Sequence, residues 1–313
     1  ITCPPMLRAI DSFRPQFAAL GITITTPKVV QVLSEDELIE LVPLFDGWII
    51  GDDPATARVF KAGVAGKLKA AVKWGVGVDN VDFEACRRLN LPISNTPGMF
   101  GREVADVALG YVIALARQTF QIDVAVKAGG WIKPAGMSLA GKQVALVGFG
   151  DIGRNVARRL VAADMHVIAY DPYFKPDEKL PEVEQGTWPE RLNEVEFIVL
   201  TCALTVENRH MLAADAFSRC KPGVRVVNVA RGPLIDENAL ADALETGVVH
   251  SAALEVFEEE PLVDTSKLRS FGDRCLFGSH NSSNTVDAVQ RTSFKAMDLI
   301  ANFLEISPAT GSL

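Results

Sequence analysis

The chain has few residues that could crosslink it or bind a metal ion. Its five cysteines lie far apart, with no C-x-x-C pair and no histidine at metal-ligand spacing. Disulfide frameworks and zinc sites have closely and regularly spaced cysteines. The cysteines therefore indicate free, mostly buried thiols in a reducing compartment, and we expect a cytoplasmic protein without a metal site.

Long apolar runs are also missing. A membrane-spanning helix needs about 18 consecutive apolar residues, and the best stretch here, residues 104–116, is interrupted by Asp106. The chain starts at Ile1, with Pro4 and Pro5 close behind. This start does not look like a signal peptide and indicates a trimmed N-terminus. We expect no membrane partner.

Positive charge is scarce and scattered. The 31 lysines and arginines are outnumbered by 39 acidic residues, which gives a formal net charge of -8 at pH 7. Proteins that bind nucleic acids carry a basic surface opposite the phosphate backbone. The composition therefore argues against a nucleic-acid partner and is ordinary for an enzyme that acts on a small molecule.

Short β-branched runs alternate with helix-length segments through the whole chain, and 48% of its residues are hydrophobic. This alternation indicates βαβ units, and apolar runs without alternation are typical of parallel sheets covered on both faces. Because 313 residues exceed the usual size of one core, the pattern predicts an α/β protein of two domains. The candidate strands form two series, residues 29–32, 48–51, 70–74 and 93–95, then 144–148, 166–170, 197–201, 225–229, 251–256 and 275–277.

A turn at residues 95–98, followed by the longest helical pattern at residues 103–117, marks the predicted domain boundary. The first domain then covers residues 1–97 and the second covers residues 98–283. The tail, residues 284–313, is helical and too short for a domain, so we expect it to pack back on the first domain. Ser34 and Glu37 form a capping-box pattern at the start of a helix.

A dinucleotide-binding fingerprint follows the strand at residues 144–148. The pattern G-x-G-x-x-G lets the chain turn tightly and lets the backbone approach a pyrophosphate at the N-terminus of a helix. A glycine turn without a nucleotide is the alternative, and the strand before and helix after the motif favour the nucleotide. The candidate cofactor-binding residues are Gly148, Gly150, Asp151, Ile152 and Gly153.

An acidic residue stands where such a fingerprint needs one. Asp171 ends the next strand, about twenty residues further on. Its carboxylate can accept hydrogen bonds from the ribose hydroxyls and would repel a 2′-phosphate, which favours NAD over NADP. A plain turn at the strand end is the alternative interpretation of Asp171 and Pro172.

Local patterns leave several polar residues as candidates for catalysis. Among four histidines, His280 follows the last strand of the second series, at the edge of a parallel sheet where ligands bind. A structural role is favoured for the other three, His166, His210 and His250. Arg231 also follows a strand, but spacing alone allows a surface role, and residues 258–260 can equally form a solvated acidic turn.

At these positions the chain resembles the D-isomer-specific 2-hydroxyacid dehydrogenase family, over nearly its whole length. Together the matching stretches are far more specific than any one motif. They are residues 73–82, 95–98, 103–106, 139–142 with the glycine fingerprint, 203–205 with Asn208, 228–232 through 236–237, and 252–257 through 260–262.

The resemblance implies a catalytic trio of Arg231, Glu260 and His280. Arg231 would bind the carboxylate and carbonyl oxygen of the substrate, and His280 would exchange a proton with that oxygen. Glu260 would hydrogen-bond the imidazole, fix its tautomer and favour its charged form. The backbone amides near Val76 and Gly77 would bind the substrate carboxylate.

The resemblance also implies the cofactor, the assembly and the substrate class. We expect two Rossmann-like, doubly wound parallel-sheet domains with a cleft between them, NAD as cofactor, and a small 2-oxo or D-2-hydroxy acid as substrate. Subunits would pair through the NAD-binding domains, with the helix at residues 103–117 in a homodimer interface. Further cofactor-binding positions are Val104, Ala203, Val229, Ala230 and Glu255.

Three departures from the family pattern bear on the site. Glu255 stands where the family usually has an aspartate near the nicotinamide carboxamide. Ser279 and Asn281 flank His280 in place of proline and an apolar residue. Residues 51–54 carry two aspartates where relatives acting on 3-phosphoglycerate often have an arginine, which disfavours a phosphorylated substrate.

Other functions on the same scaffold stay open. A phosphoglycerate, hydroxypyruvate, glyoxylate or formate dehydrogenase is one group, although formate oxidation does not need a His–Glu pair. An NAD(H)-sensing binding or corepressor-type protein is an alternative of another class. Turnover of NADH with a panel of 2-oxo acids would separate these possibilities.

Overall fold

A computed structural model of the chain describes residues 1–306. The chain forms two compact units, one from Ile1–Met99 together with residues 284–306, and one from Phe100–Ser283. The first part of the chain alternates helices and strands, α1 (Pro4–Arg8), α2 (Arg14–Ala19), α3 (Glu35–Leu41), β1 (Gly47–Ile50), α4 (Ala57–Ala65), β2 (Ala70–Lys73), α5 (Phe83–Arg88) and β3 (Ile93–Asn95).

The second unit follows with seven strands. Two helices precede the first of them, and the elements are α6 (Gly101–Arg117), α7 (Thr119–Lys127), β4 (Gln143–Val147), α8 (Asp151–Ala162), β5 (His166–Tyr170), β6 (Glu184–Gly186), β7 (Phe197–Leu200), α9 (Ala214–Ser218), β8 (Val224–Asn228), α10 (Glu237–Glu245), β9 (Val249–Leu254) and β10 (Cys275–Phe277). The tail forms α11 (Val286–Phe303).

The sheet of the first unit is parallel, in the order β1-β2-β3, with Gly47 opposite Ala70 and Ala71 opposite Ile93. The strand predicted at residues 29–32 is wrong, since these residues lie in a loop. Val30 and Val32 are 86% and 47% exposed, because this β-branched run has no neighbouring strand with which to pair. The capping box is confirmed, since Ser34 Oγ accepts from the Glu37 amide and Glu37 accepts from the Ser34 amide.

The sheet of the second unit is also parallel, in the order β10-β9-β8-β7-β4-β5-β6. Its central strands are mostly apolar, and all of their residues except Gln143 are buried, as in a sheet covered on both faces. All six strands predicted here are present, shifted by at most two residues at an end. The pattern missed β6, a short polar strand at the sheet edge that pairs only with β5. The α/β, doubly wound fold class is thus confirmed.

The tail helix α11 packs on the sheet of the first unit, as the sequence predicts. Gly47 lies at this close approach, where a Cβ atom would be 3.1 Å from Cγ1 of Ile300 and would crowd that side chain. The Trp74 indole donates to the Ser293 hydroxyl at 3.1 Å, which joins the end of β2 to the middle of the helix. Apolar burial and a buried hydrogen bond together hold the tail.

The structure also bears on membrane spans, metal ligands and cysteines. Among residues 1–306 no helix is both long and apolar enough to cross a membrane. In the same part of the chain, no three histidine, cysteine or acidic side chains gather as metal ligands would. All five cysteines are free thiols, and burial raises the pKa of four of them to about 12, namely Cys3, Cys86, Cys220 and Cys275.

Two valines of α11 test how the tail is held. Val289 is 7% exposed and Val286 is 85% exposed. Val289→Ala should lower the free energy of unfolding by about 1–3 kcal/mol, because it leaves a cavity under the helix. Val286→Ala, the matched control, should change it by less than about 0.5 kcal/mol. Urea denaturation measures both, and equal effects would contradict the packing of this helix on its sheet.

Candidate active site

Three neighbouring strands end at one edge of the larger sheet, and a polar residue follows each. β8, β9 and β10 are adjacent and parallel, so the chain leaves all three at the same edge. Arg231 comes three residues after β8, Glu255 directly after β9, and His280 three residues after β10. This edge of a parallel sheet is where ligands bind in open α/β folds.

Asn228 shapes the loop that carries Arg231. Its side chain is fully buried, donates to the Arg231 carbonyl at 2.9 Å and accepts from the Ala230 amide at 3.0 Å. The Arg231 guanidinium donates to the Ala230 carbonyl at 2.8 Å, and its residue is half-buried. These bonds close a tight turn and limit the positions that the guanidinium can take.

Gly232 allows this turn to lie against the chain beyond β9. A Cβ atom at Gly232 would be 1.8 Å from the carbonyl carbon of Phe257, so a side chain cannot be placed there without moving the backbone. The Arg231 turn and the segment that leads to Glu260 are therefore held in backbone contact.

The structure brings His280 and Glu260 together. Nδ1 of His280 lies 2.8 Å from Oε2 of Glu260, with both side chains about 30% exposed (31% and 29%). The other carboxylate oxygen of Glu260 accepts from the Phe257 amide at 3.0 Å. A carboxylate at Nδ1 favours the proton on that nitrogen, which makes Nε2 the atom that gains or loses a proton.

The three consecutive glutamates at residues 258–260 differ in their contacts. Glu258 accepts from His210 at 2.9 Å and from Arg209 at 3.2 Å, and Glu259 is exposed. Only Glu260 of the three contacts His280. The acidic turn that spacing alone left ambiguous thus contains one carboxylate aimed at the imidazole.

The other histidines lie elsewhere. His166 begins β5 and His250 lies at the start of β9, at the opposite edge of the sheet from His280. Nδ1 of His250 is 3.0 Å from the Ser251 hydroxyl, and burial together with Arg225 and Arg274 lowers its pKa. The Ser251 contact fits a structural role for His250.

The glycine fingerprint forms the turn from β4 into α8. Gly148 has φ +97°, a conformation that L side chains rarely adopt, and a Cβ atom at Gly153 would lie 2.1 Å from the Gly148 carbonyl oxygen. A Cβ atom at Gly150, just before α8, would meet no protein atom within 4 Å. The loop thus leaves open space at a helix N-terminus, which fits the pyrophosphate of a dinucleotide.

Asp171 lies beside this loop, immediately after β5. One of its oxygens accepts from the Phe149 amide and the other from the Tyr173 amide, each at 2.7 Å. Each carboxylate oxygen has a second lone pair, so these bonds orient the group without using up its capacity as an acceptor. The arrangement fits a ribose hydroxyl pair beside the glycine loop.

The remaining positions named for the cofactor lie in the same unit. Val229 and Ala230 are buried directly after β8, and Ala203 is exposed three residues after β7. Val104 is buried on α6, and Asp151 and Ile152 form the first turn of α8. Apart from Val104, all of them follow strands at the edge of the sheet that carries His280.

In the first unit, the loop after β2 presents backbone amides. Gly75 has φ +138° and its amide donates to the Thr96 hydroxyl at 2.8 Å, while the Asn95 amide group donates to the Val76 carbonyl at 3.1 Å. The backbone N–H groups of Val76 and Gly77 donate no hydrogen bond to another residue of the described chain 1–306. They are available to an anion.

The two aspartates at residues 52 and 53 have different environments. Asp53 is fully buried and accepts from the Leu33 amide at 2.9 Å and from Gly51 and Thr2, and burial raises its pKa. Asp52 is ion-paired with the buried Lys73 at 2.8 Å. Because Asp53 holds its own loop and Asp52 is neutralised, neither weighs strongly against a phosphorylated substrate.

Two residues at this edge were not predicted as functional. Asn228 ends an apolar strand, and a polar residue that is buried at such a position signals a hydrogen-bonded turn. Tyr111, on the apolar stripe of α6, donates to the Glu255 carboxylate at 2.6 Å. A tyrosine in an apolar stripe is a weaker sign of function than a buried asparagine, because its hydroxyl often reaches solvent.

Known proteins match the chain over both units. The family model "D-isomer specific 2-hydroxyacid dehydrogenase, NAD binding domain" matches residues 109–282. A hydroxypyruvate reductase of Thermotoga maritima is 36% identical over 278 residues, which is 88% of this chain and 90% of that protein.

Other relatives are longer, and solved structures share the fold. The D-3-phosphoglycerate dehydrogenase 3 of Arabidopsis thaliana is 35% identical over 87% of this chain, which spans about half (47%) of that protein's length. The crystal structure of a glyoxylate reductase from Paecilomyes thermophila superposes with a TM-score of 0.80 at 27% identity, covering 97% of this chain and 93% of that one.

Two glycine substitutions test the cofactor loop. Gly150→Ala should weaken NADH binding by roughly tenfold or more, because its methyl group fills the space that the pyrophosphate needs, while thermal stability is kept. Gly153→Ala should weaken binding and also lower stability by about 1–3 kcal/mol, because its Cβ atom meets the Gly148 carbonyl. Fluorescence titration with NADH and thermal melts measure both effects. NADH affinity of Gly150→Ala equal to that of the wild type would contradict the fit.

Proposed function

Because the chain belongs to the D-isomer-specific 2-hydroxyacid dehydrogenase family, NAD-dependent oxidoreductases that act on CH–OH donors, we propose that it reduces small 2-oxo acids to D-2-hydroxy acids and catalyses the reverse oxidation. The observation that carries this proposal is the 2.8 Å contact between His280 and Glu260 at the carboxyl edge of the sheet. A carbonyl reduction needs a proton donor at this place, and a carboxylate-bound imidazole is a suitable one.

The protein's part in the reaction is to bind, orient and protonate. NADH, when bound, supplies the hydride that adds to C2 of the 2-oxo acid. His280 donates a proton from Nε2 to the carbonyl oxygen as the C2–H bond forms, and it takes that proton back in the oxidation. Glu260 stabilises the charged imidazolium and holds the ring in place, as its contacts support.

Arg231 and the loop after β2 bind the substrate in this proposal. The guanidinium of Arg231 pairs with the carboxylate and polarises the carbonyl oxygen, which stabilises the negative charge that develops there. The available amides of Val76 and Gly77 bind the carboxylate as hydrogen-bond donors. The Asn228 side chain supports this role by closing the turn that precedes Arg231.

We assign the two units different tasks. Residues 100–283, which contain the fingerprint, form the NAD-binding domain, and the rest of the chain forms a substrate-binding domain. The proposed cofactor contacts are those named above, from the glycine loop and Asp171 to the turns after β7, β8 and β9. Support comes from the open space at Gly150 and from the orientation of Asp171.

Hydroxypyruvate is the first substrate to test. The hydroxypyruvate reductase of Thermotoga maritima matches 88% of this chain and 90% of its own length, so the two proteins share their whole domain plan. A second candidate is D-3-phosphoglycerate oxidation, which the phosphoglycerate dehydrogenase relatives favour and which Asp52 and Asp53 do not oppose. An assay of NADH oxidation with hydroxypyruvate, glyoxylate, pyruvate and phosphohydroxypyruvate distinguishes them. Tight NADH binding with no turnover on any of these would favour a sensor instead.

His280→Ala tests the proton donor. It should lower kcat by roughly 10²–10⁴, the usual cost of losing acid–base catalysis, with NADH affinity nearly unchanged. His166→Ala is the matched control, since His166 is exposed at the other edge of the sheet, and its kcat should equal that of the wild type. Turnover of His280→Ala at the wild-type rate would rule out this role.

We also propose that the protein is a homodimer that pairs through its NAD-binding domains. α7 buries none of its residues, and Phe120 and Val124 on it are 53% and 66% exposed. Ile113 on the neighbouring α6 is 39% exposed, so a second copy would cover apolar surface. The free thiols support a reducing, cytoplasmic location, which cell fractionation would test.

Light scattering at micromolar concentration tests the assembly. The expected mass is twice the 33.8 kDa of one chain, and Val124→Lys should shift it towards one chain, because a charge would be buried in the interface. A wild-type mass of one chain would overturn the dimer. Val206→Lys, on an exposed loop valine at 91% exposure, serves as the control and should keep the wild-type mass.

A further inference from the structure

Glu255 is a buried acidic residue whose carboxylate and backbone carbonyl both bind the His280 loop. It is 3% exposed and follows β9 directly. Oε2 of its carboxylate accepts from the Tyr111 hydroxyl at 2.6 Å, and Oε1 accepts from the Asn281 amide. Its backbone carbonyl accepts from the His280 amide at 2.8 Å. Glu255 thus binds the backbone of both His280 and Asn281.

Gly278 makes room for this long side chain. A Cβ atom at Gly278 would lie 2.1 Å from Oε2 of Glu255 and 2.7 Å from the Tyr111 hydroxyl. The Gly278 amide donates to the Leu254 carbonyl at 2.8 Å, so the backbone there cannot withdraw freely. Glutamate at 255, glycine at 278 and tyrosine at 111 therefore fit one another sterically.

The backbone of His280 needs such support. Its φ is +54°, in the left-handed region that residues other than glycine seldom adopt and that surrounding contacts must maintain. An aspartate at position 255 would be about 1.5 Å shorter, one carbon–carbon bond. It would fall short of the Asn281 amide or of Tyr111.

From these contacts we propose that Glu255 is a positioning residue, which fixes the His280 loop through the Asn281 amide and is itself oriented by Tyr111. The inference rests on the proposed function, since it takes His280 as the proton donor. The family resemblance connects this position with the cofactor, whereas the carboxylate contacts in the structure are to the Tyr111 hydroxyl and the Asn281 amide. Burial and the nearby Glu255 raise the pKa of Tyr111, so its hydroxyl stays a donor.

A double-mutant cycle of Tyr111→Phe with His280→Ala tests the proposal. Tyr111→Phe alone should lower kcat by roughly tenfold, because the imidazole loses its fixed position, while the Kd for NADH stays as in the wild type. In the His280→Ala background the same substitution should lower kcat no further, since Glu255 acts through His280.

Tyr170→Phe is the matched control for the lost hydroxyl. Tyr170 is also buried in this unit, and its hydroxyl donates to the Glu190 carbonyl at 2.7 Å. It should lower the melting temperature about as much as Tyr111→Phe does, with kcat at saturating NADH unchanged. A purely structural role for Tyr111 predicts that the two variants behave alike, and that result would overturn the proposal.

Substitutions of Glu255 itself give a second test. Glu255→Gln should keep kcat within about threefold, because its amide oxygen can accept from Asn281 and its NH₂ group can donate to Tyr111. Glu255→Met, of similar length, should lose roughly ten- to a hundredfold. Should Glu255→Met fail to fold, the cycle with Tyr111→Phe still decides.

The outcomes separate the two proposals. If Tyr111→Phe and His280→Ala lower kcat by factors that multiply, Glu255 does not act through His280 and the positioning role is wrong. A raised Kd for NADH with unchanged kcat in Tyr111→Phe and Glu255→Gln would likewise overturn it, since it would make Glu255 a cofactor contact. Wild-type turnover of His280→Ala alone would instead overturn the proposed function.

Discussion

The parallel register of β8, β9 and β10 is the constraint on which the candidate site depends. Because the three strands run side by side in one direction, the turns that follow them emerge at one edge of the sheet. Arg231, Glu255 and His280 come from these three turns, and Glu260 reaches the same place from the chain beyond β9. An antiparallel β9 would leave Glu255 and Glu260 at the far edge, with His280 deprived of its carboxylate. The candidate chemistry is therefore a consequence of strand direction before it is a consequence of any side chain.

Glycines are as important to the candidate site as its polar side chains. Gly232, Gly153 and Gly278 each lie where a Cβ atom would overlap another group, the backbone at Phe257, the Gly148 carbonyl and the Glu255 carboxylate respectively. Each close approach brings a segment of the candidate site to its neighbour, namely the Arg231 turn, the glycine loop and the His280 loop. Because protein interiors are close-packed, these segments have little freedom to move apart. The positions of the polar groups are thus set by the backbone, with side-chain hydrogen bonds from Asn228 and Glu255 to complete them.

The two units contribute different parts of the candidate chemistry. The unit Phe100–Ser283 contains the fingerprint, most of the family match and the paired His280 and Glu260. In the proposed function, these groups serve every substrate of the class. The first unit offers amides at Val76 and Gly77, and its acidic pair at residues 52 and 53 is occupied with structural contacts. In the proposed function, the loops of that unit select among the 2-oxo acids.

The amino-acid sequence by itself determined the α/β class, the buried strands of the larger sheet, the glycine fingerprint with Asp171, and the helical tail. These features have local signals, since apolar periods, glycines and caps act within a few residues of one another. Tertiary structure decided what local patterns leave open. The run at residues 29–32 has strand propensity but no partner, β6 has a partner but no apolar pattern, and the three glutamates at residues 258–260 look alike in sequence. The family resemblance implied the contact of Glu260 with His280, which no local pattern distinguishes, and the fold shows it. The fold alone shows that Tyr111, far away on α6, reaches Glu255. Contacts between distant residues depend on where the chain folds back, and no local pattern contains that information.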